Sequence, residues 1–189
     1  MLFRSDNLQR EVEEKAVLTI ARRQPLANDL RELISAIRIA ADIERVGDLA
    51  KNIAKRAVAI SGQFSPPHRA VVGLAHMSRL VQAQLKDVLD AYAASNEQKA
   101  MEVWRRDDEI DALYTSLFRE LLTYMMEDPR NITFCTHLLF CAKNVERIGD
   151  HTTNIAETIH YLVTGQSMDE NRPKLDTTNI LVDLPAANG

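Results

Sequence analysis

Two carboxylate pairs recur in this chain inside one motif. Glu44 and Asp48 stand in Glu-Arg-Val-Gly-Asp, and Glu146 and Asp150 in Glu-Arg-Ile-Gly-Asp. In both copies three residues follow, then Asn-Ile-Ala, and the copies lie 146 − 44 = 102 positions apart. A unit written twice at a fixed distance marks an internal repeat. Acids four apart on a helix share a face, one turn above the other.

Counting back from a turn shows what faces them. Pro129 ends one apolar-periodic stretch; Asp111 lies 18 before it and Glu146 17 after, while Asp107 lies 22 before and Asp150 21 after. An antiparallel hairpin therefore brings Asp107 and Asp111 level with Asp150 and Glu146. Four carboxylates at close range repel and raise one another's pKa unless a cation sits among them. Hard divalent or trivalent ions with oxygen ligands meet that need, and oxygen-only ligands suit iron, manganese, magnesium, calcium or zinc alike. The first copy is poorer. Asp6 lies 19 before Pro25 and Glu44 19 after, but Leu2 falls opposite Asp48, and Lys51 and Lys55 follow on the same face. A weaker or incomplete site is expected there.

A plainer reading stands beside this one. Acids four apart on helices are usually solvated, or paired with Lys and Arg for a few tenths of a kcal/mol. Arg45 and Arg147 stand next to the motif acids and would neutralise Asp42 and Glu146, although adjacent helical residues point apart. Asn52 and Asn154 fit either support of a bound ion or helix–helix hydrogen bonding. His151 and His160 fall off the acidic line and read as surface or core residues. Trp104 and the methionines read as packing.

These residues need helices to place them. Positions 30, 34, 37 and 41 are Leu, Ile, Ile and Ala, and the same register continues into Glu44, Asp48, Lys51 and Lys55. Likewise Ile132, Cys135, Leu139 and Ala142 lead to Glu146, Asp150, Thr153 and Glu157. Each motif thus prolongs an apolar bundle seam. A second stripe, Val46, Ala50, Ile53, Ala57 and Ile60 in one copy and Cys141, Val145, Ile148, Ile155 and Ile159 in the other, is expected to hold the opposite side.

The pattern predicts an all-α chain: helices over 4–24, 26–60, 68–94, 95–126 and 129–163. Gln24-Pro25, the Ser61 to Pro67 segment and Glu127-Asp128-Pro129 are the breaks. Ser95 with Gln98 reads as a capping box, Asp128 as a cap with Pro129 at the first helical position, and Gly165 as a C-cap. The predicted organisation is a first repeat over 1–62 with two helices, a second over 68–165 with three, and an extended tail over 166–189.

The bulk properties agree. Of 189 residues 46% are hydrophobic, 5% aromatic and 26% charged, with a net charge of −4, which speaks against a basic nucleic-acid binder. No apolar run approaches the roughly 18–20 residues of a membrane span, and the start lacks an apolar signal core. Cys135 and Cys141 carry no metal spacing and suit a reducing, cytoplasmic setting.

Together the segments Ala21 to Arg31, Glu44 to Asp48, Tyr124 to Pro129 and Glu146 to Glu157 resemble the PhoU family, regulators associated with bacterial high-affinity phosphate uptake. The resemblance implies tandem three-helix bundles, a homodimer, and metal clusters on the motifs Glu44 with Asp48, Asp107 with Asp111 and Glu146 with Asp150, with Asp6 the remnant of a fourth. Asn154, Asn52, Glu157, Arg147 and Arg45 would support them. It also implies a negative regulator of the phosphate-starvation response, in contact with the ATPase subunit of the phosphate transporter and a sensor histidine kinase, peripheral to the inner membrane through those partners. Family members carry a further helix ahead of the one at residue 4. This sequence has no room for it, so the first repeat is expected to be incomplete: either the sequence is a piece of a longer chain, or that bundle is completed by a second copy or by the tail.

Other function classes remain open from sequence. A carboxylate-bridged metalloenzyme would need Glu-x-x-His pairs, but Gly47 and Gly149 occupy the third place after each Glu. Neither a nucleophile with a base nor a P-loop is present, so an enzyme is not expected. A metal-free helical scaffold with an acidic docking face is the remaining alternative.

Overall fold

The computed structural model describes residues 2–62 and 68–168, side chains 2–4 and 68 apart. The described residues are helical, with no strand among them. Helix α1 spans Leu2–Arg23, α2 Asn28–Ile60, α3 His68–Ala93, α4 Glu97–Trp104, α5 Asp107–Glu127 and α6 Ile132–Thr164, with a single 3₁₀ turn at Pro129–Asn131 before α6.

Punctuation residues explain most boundaries. Arg22 and Arg23 close α1, where cations favour the negative end of a helix. Asp128 accepts from the Arg130 N–H with Pro129 beside it, and Gly165, at φ 76°, ends α6 in the left-handed conformation that glycine adopts without strain. Two boundaries differ from the sequence expectation. The N-cap of α4 is Asn96, whose Oδ1 accepts from Lys99 N at 3.0 Å, while Ser95 takes up the turn at φ 48°. The helix expected over 95–126 is two helices, broken at Arg105-Arg106. Gln84 on α3 donates to the Arg106 carbonyl at 3.2 Å, and Arg106 Nη1 reaches Asp87 at 3.3 Å. The run Arg105-Arg106-Asp107-Asp108-Glu109 reads as the end of one helix and the start of the next, with cations closing and acids opening.

The long helices α2 and α6 form the central pair. They run antiparallel: Arg38 stacks on Tyr161, Asp42 bonds His151, and Arg56 lies 4.0 Å over the Phe140 ring. Around α6 the packing is dense. Met77 and Val81 of α3, Ile110, Tyr114, Leu117 and Leu121 of α5, and Cys135, Leu138, Ala142, Val145 and Ile148 of α6 form one core. Val88 and Ala91, then Ala100, Val103 and Trp104, close a second against Ile155, Ala156 and Ile159.

Around α2 it is not. The expected seam at Leu30, Ile34, Ile37 and Ala41 is half-buried at best, and Leu30 is exposed. The fully buried positions of α2 are Ser35, Ile39 and Leu49 instead. In the second stripe, Ala50 and Ala57 are exposed, whereas Val145 and Ile159 are buried. Val46, Ile53 and Ile60 of that stripe are partly buried against the core, but α3, α4 and α5 gather on α6, whereas α2 packs chiefly on α1 and α6. The expected loop over 63–67 and tail residues 169–189 lie outside the described residues.

Candidate metal centre

Asp107 and Asp111 occupy the first two turns of α5, and Glu146 and Asp150 the middle of α6. Asp107, Asp111 and Glu146 are 4%, 4% and 6% exposed, which ionised carboxylates reach only when something compensates them. The hairpin register is the one the turn dictates. Thr153 Oγ1 donates to Asp107 Oδ1 at 3.1 Å, and a β-carbon added at Gly149 would sit 4.0 Å from that same oxygen. Asp107 therefore lies against the Gly149 to Thr153 turn, level with Asp150. Asp111 and Asp150 are both close enough for their charge to act on Glu146.

Glu146 sits under opposing influences. Burial pushes its carboxyl above the usual carboxylate range; a hydrogen bond from Lys143 pulls the other way, and the charges of Asp150 and Asp111 push it up again. Lys143 Nζ donates to Oε1 at 2.9 Å and lies 4.8 Å from the centre of the Tyr114 ring. Oε2 is buried without a hydrogen-bond partner. A buried, unsatisfied carboxylate oxygen is costly, and it is the kind of atom a cation would satisfy.

Among the described residues no three His, Cys, Asp or Glu side chains are gathered tightly enough to wrap an ion as they stand. The donor set still suits one. It is all-oxygen, with Asp107, Asp111 and Glu146 buried and Asp150 half-buried, and it includes an orphaned lone pair, which fits a hard cation.

The first repeat is different. The contact of Gly47 with Ser5 repeats that of Gly149 with Asp107 at the same spacing, since 47 − 5 = 149 − 107 = 42. Shifted by 102, the counterparts of Asp107 and Asp111 are Ser5 and Gln9, not the Leu2 and Asp6 that counting from Pro25 suggests. Pro25 misleads because the two turns differ: Pro25 lies in an irregular link, whereas Pro129 opens a 3₁₀ turn. Asp6 corresponds to Asp108, and each has a buried Oδ1 without a hydrogen-bond partner. Glu44 and Asp48 remain half-buried, with Arg45 Nε 3.8 Å from Glu44 Oε2. Leu2's side chain lies outside the described residues.

The expected supporting residues go elsewhere. Glu157 accepts from Trp104 Nε1 at 3.1 Å, fastening α4 to α6. Asn154 reaches Asp42 at 3.5 Å and His151 bonds the same oxygen at 2.8 Å, so both serve the α2–α6 contact. Asn52 and Arg147 are exposed. His160 bonds Glu97 at 3.1 Å, and Cys135 and Cys141 are buried free thiols whose pKa burial raises. Sequence reasoning missed Lys143 and the hydroxyl of Thr153 as members of the cluster. The signals were a Lys three before Glu146 and a Thr one turn beyond Gly149 in the acidic register.

Comparison with known proteins shows the family and the fold. The PhoU domain model matches residues 4–57 and 74–159. The chain belongs to the PhoU family. Under the 102-residue shift, 4–57 corresponds to 106–159, so the first PhoU match spans the counterparts of α5 and α6. A "Phosphate-specific transport system accessory protein PhoU homolog" of Rhizobium meliloti (strain 1021) is 61% identical over 176 residues, covering 93% of this chain and 74% of the relative. A protein of the same name from Caulobacter vibrioides (strain NA1000 / CB15N) is 55% identical over 173 residues, 92% of this chain and 75% of the relative. Among solved structures, PhoU from Pseudomonas aeruginosa superposes with a TM-score of 0.84 at 39% identity, covering 87% of this chain and 78% of that one. The phosphate transport system regulatory protein PhoU from Streptococcus pneumoniae gives 0.72 at 30% identity, covering 90% and 82%.

Proposed function

We propose that this chain regulates phosphate uptake as an accessory protein, restraining the phosphate-starvation response when phosphate is plentiful, with metal bound between α5 and α6 as part of its working form. The names of its PhoU relatives support the link to phosphate transport. The observation that carries the metal reading is the Glu146 carboxylate, buried with Asp107 and Asp111 and holding an oxygen without a hydrogen-bond partner. Asp107, Asp111, Glu146 and Asp150 would hold the ion. When bound it would supply positive charge that locks the start of α5 to the middle of α6.

In this reading the protein works by contact and not by catalysis, in the cytoplasm, with the transporter's ATPase subunit and a sensor histidine kinase as partners and a homodimer as its assembly. No described helix is long and apolar enough to cross a membrane. The two PhoU repeats, 1–62 and 68–165, divide the labour unequally. The second carries four facing acids, and the first, with Ser5 and Gln9 in two of those places, holds an ion less well.

Elemental analysis of the purified wild type beside Glu146→Ala/Asp150→Ala tests the site. The double variant is expected to lose most of its bound metal; equal loading would refute the assignment. A starvation-induced reporter in phosphate-replete cells lacking the gene tests the regulation. Wild-type chain should silence it, and failure to do so leaves a metal-binding scaffold without the regulatory role.

A further inference from the structure

We propose that Lys143 is the built-in counter-ion of the acidic cluster: its ammonium holds Glu146 while no ion is bound and must leave before one can bind, so that this side chain sets the affinity of the site. The inference rests on the metal reading above and names the regulation of that same site.

The geometry makes Lys143 part of the cluster. It stands three residues before Glu146 on α6, donates to Oε1 at 2.9 Å, and packs its ammonium 4.8 Å from the ring centre of buried Tyr114. The Glu146 side chain is 7% exposed, whereas that of Lys143 is 37% exposed. One end of the bond is therefore fixed in the interior and the other reaches water. A lysine is a point charge on a flexible four-carbon stem, able to hold a buried carboxylate and also to swing into solvent at little cost.

The other repeat is the internal control. The counterpart of Lys143 is Ala41, and there two of the four acid positions are Ser5 and Gln9. A lysine stands at this position where the carboxylates are dense, while the first repeat has alanine there and carries Lys51 and Lys55 further along its acidic face. That is the placing expected of a cation that serves Glu146 itself. An incoming ion and the ammonium compete for the same oxygen, and like charges cannot occupy the site together. Oε2, without a hydrogen-bond partner, gives the ion a first foothold before Lys143 departs.

Titration with Mn²⁺, counting free ion by electron paramagnetic resonance, tests this on the full chain. Lys143→Met, which keeps the stem and removes the charge, should bind Mn²⁺ about tenfold tighter or more, the scale of one charge-assisted hydrogen bond. Its ion-free form should melt lower than the wild type. Lys143→Arg, which keeps the charge, should bind Mn²⁺ no tighter than the wild type. Unchanged or weaker binding by Lys143→Met, with Glu146→Ala/Asp150→Ala losing the ion, overturns this proposal and leaves the metal reading intact. Equal binding by the wild type and the double variant overturns both. Should Lys143→Met not fold, Lys143→Gln carries the same expectation.

Discussion

Thr153 donates a hydroxyl hydrogen bond to Asp107 across 3.1 Å, joining the middle of α6 to the first turn of α5. Both residues are almost fully buried, and the same hydroxyl lies 3.1 Å from the Gly149 carbonyl. Thr153→Val keeps the shape and removes the donor, leaving a buried carboxylate with one hydrogen bond fewer. The expected cost is about 1–3 kcal/mol, read by chemical denaturation of the ion-free protein. Thr153→Ser, which keeps the hydroxyl, should cost less. Equal losses would mean that methyl packing, and not the bond to Asp107, matters here.

Glu146 predicts an unusual sign. A metal ligand is ordinarily damaging to remove, yet burial works against the charged form of this carboxyl and raises its pKa. Its folded pKa lies above its unfolded value, so the native state binds the proton more tightly than the unfolded chain does. The penalty is absent below the unfolded pKa, grows through the window up to the folded one, and is fully present above it. Glu146→Gln should therefore stabilise the ion-free protein at pH 7, with the advantage shrinking as pH falls into the carboxylate range. Melting curves from pH 4 to 8 in chelator decide it. A variant less stable than wild type at pH 7 would show that the Lys143 bond outweighs burial.

Gly149 lies inside α6, where glycine costs roughly 0.5–1 kcal/mol relative to alanine. A β-carbon there would meet Ile110 at 3.6 Å and Val81 at 3.9 Å, ordinary contact distances. Gly149→Ala should thus raise stability by up to about 1 kcal/mol in the ion-free state, measured as a shift in the denaturation midpoint. A fall would mean that the helices need to approach more closely than they do here.

Much of the architecture is legible in the sequence. The 102-residue repeat, the acids continuing an apolar seam, and the facing of Asp107 and Asp111 with Asp150 and Glu146 follow from helical periodicity and a turn count, which are local rules. What escapes is set by neighbours. The break at Arg105-Arg106 depends on Gln84 and Asp87 from another helix, although the switch from basic to acidic residues marks it. Counting from Pro25 misplaces the first repeat because two turns of different shape are treated as equal. The roles of Lys143 and Glu157 depend on which face Tyr114 and Trp104 present, and sequence spacing carries no such information.

The two repeats offer one more comparison, because equal positions have unequal surroundings. Ile110 on α5 is fully buried, and its counterpart 102 residues earlier, Leu8 on α1, is 53% exposed. On the central helices Val145 is 4% exposed and its counterpart Ile43 is 43% exposed. Truncating a buried Ile removes transfer energy and leaves a cavity, so Ile110→Ala should cost about 2–5 kcal/mol. Leu8→Ala in the isolated chain should cost less than about 1 kcal/mol, since an exposed side chain has little burial to lose. The measurement is urea denaturation of each variant at two protein concentrations. A Leu8→Ala loss as large as that of Ile110→Ala, and larger at the higher concentration, would mean that another chain covers this face in solution and that α1 is as much a core helix as α5.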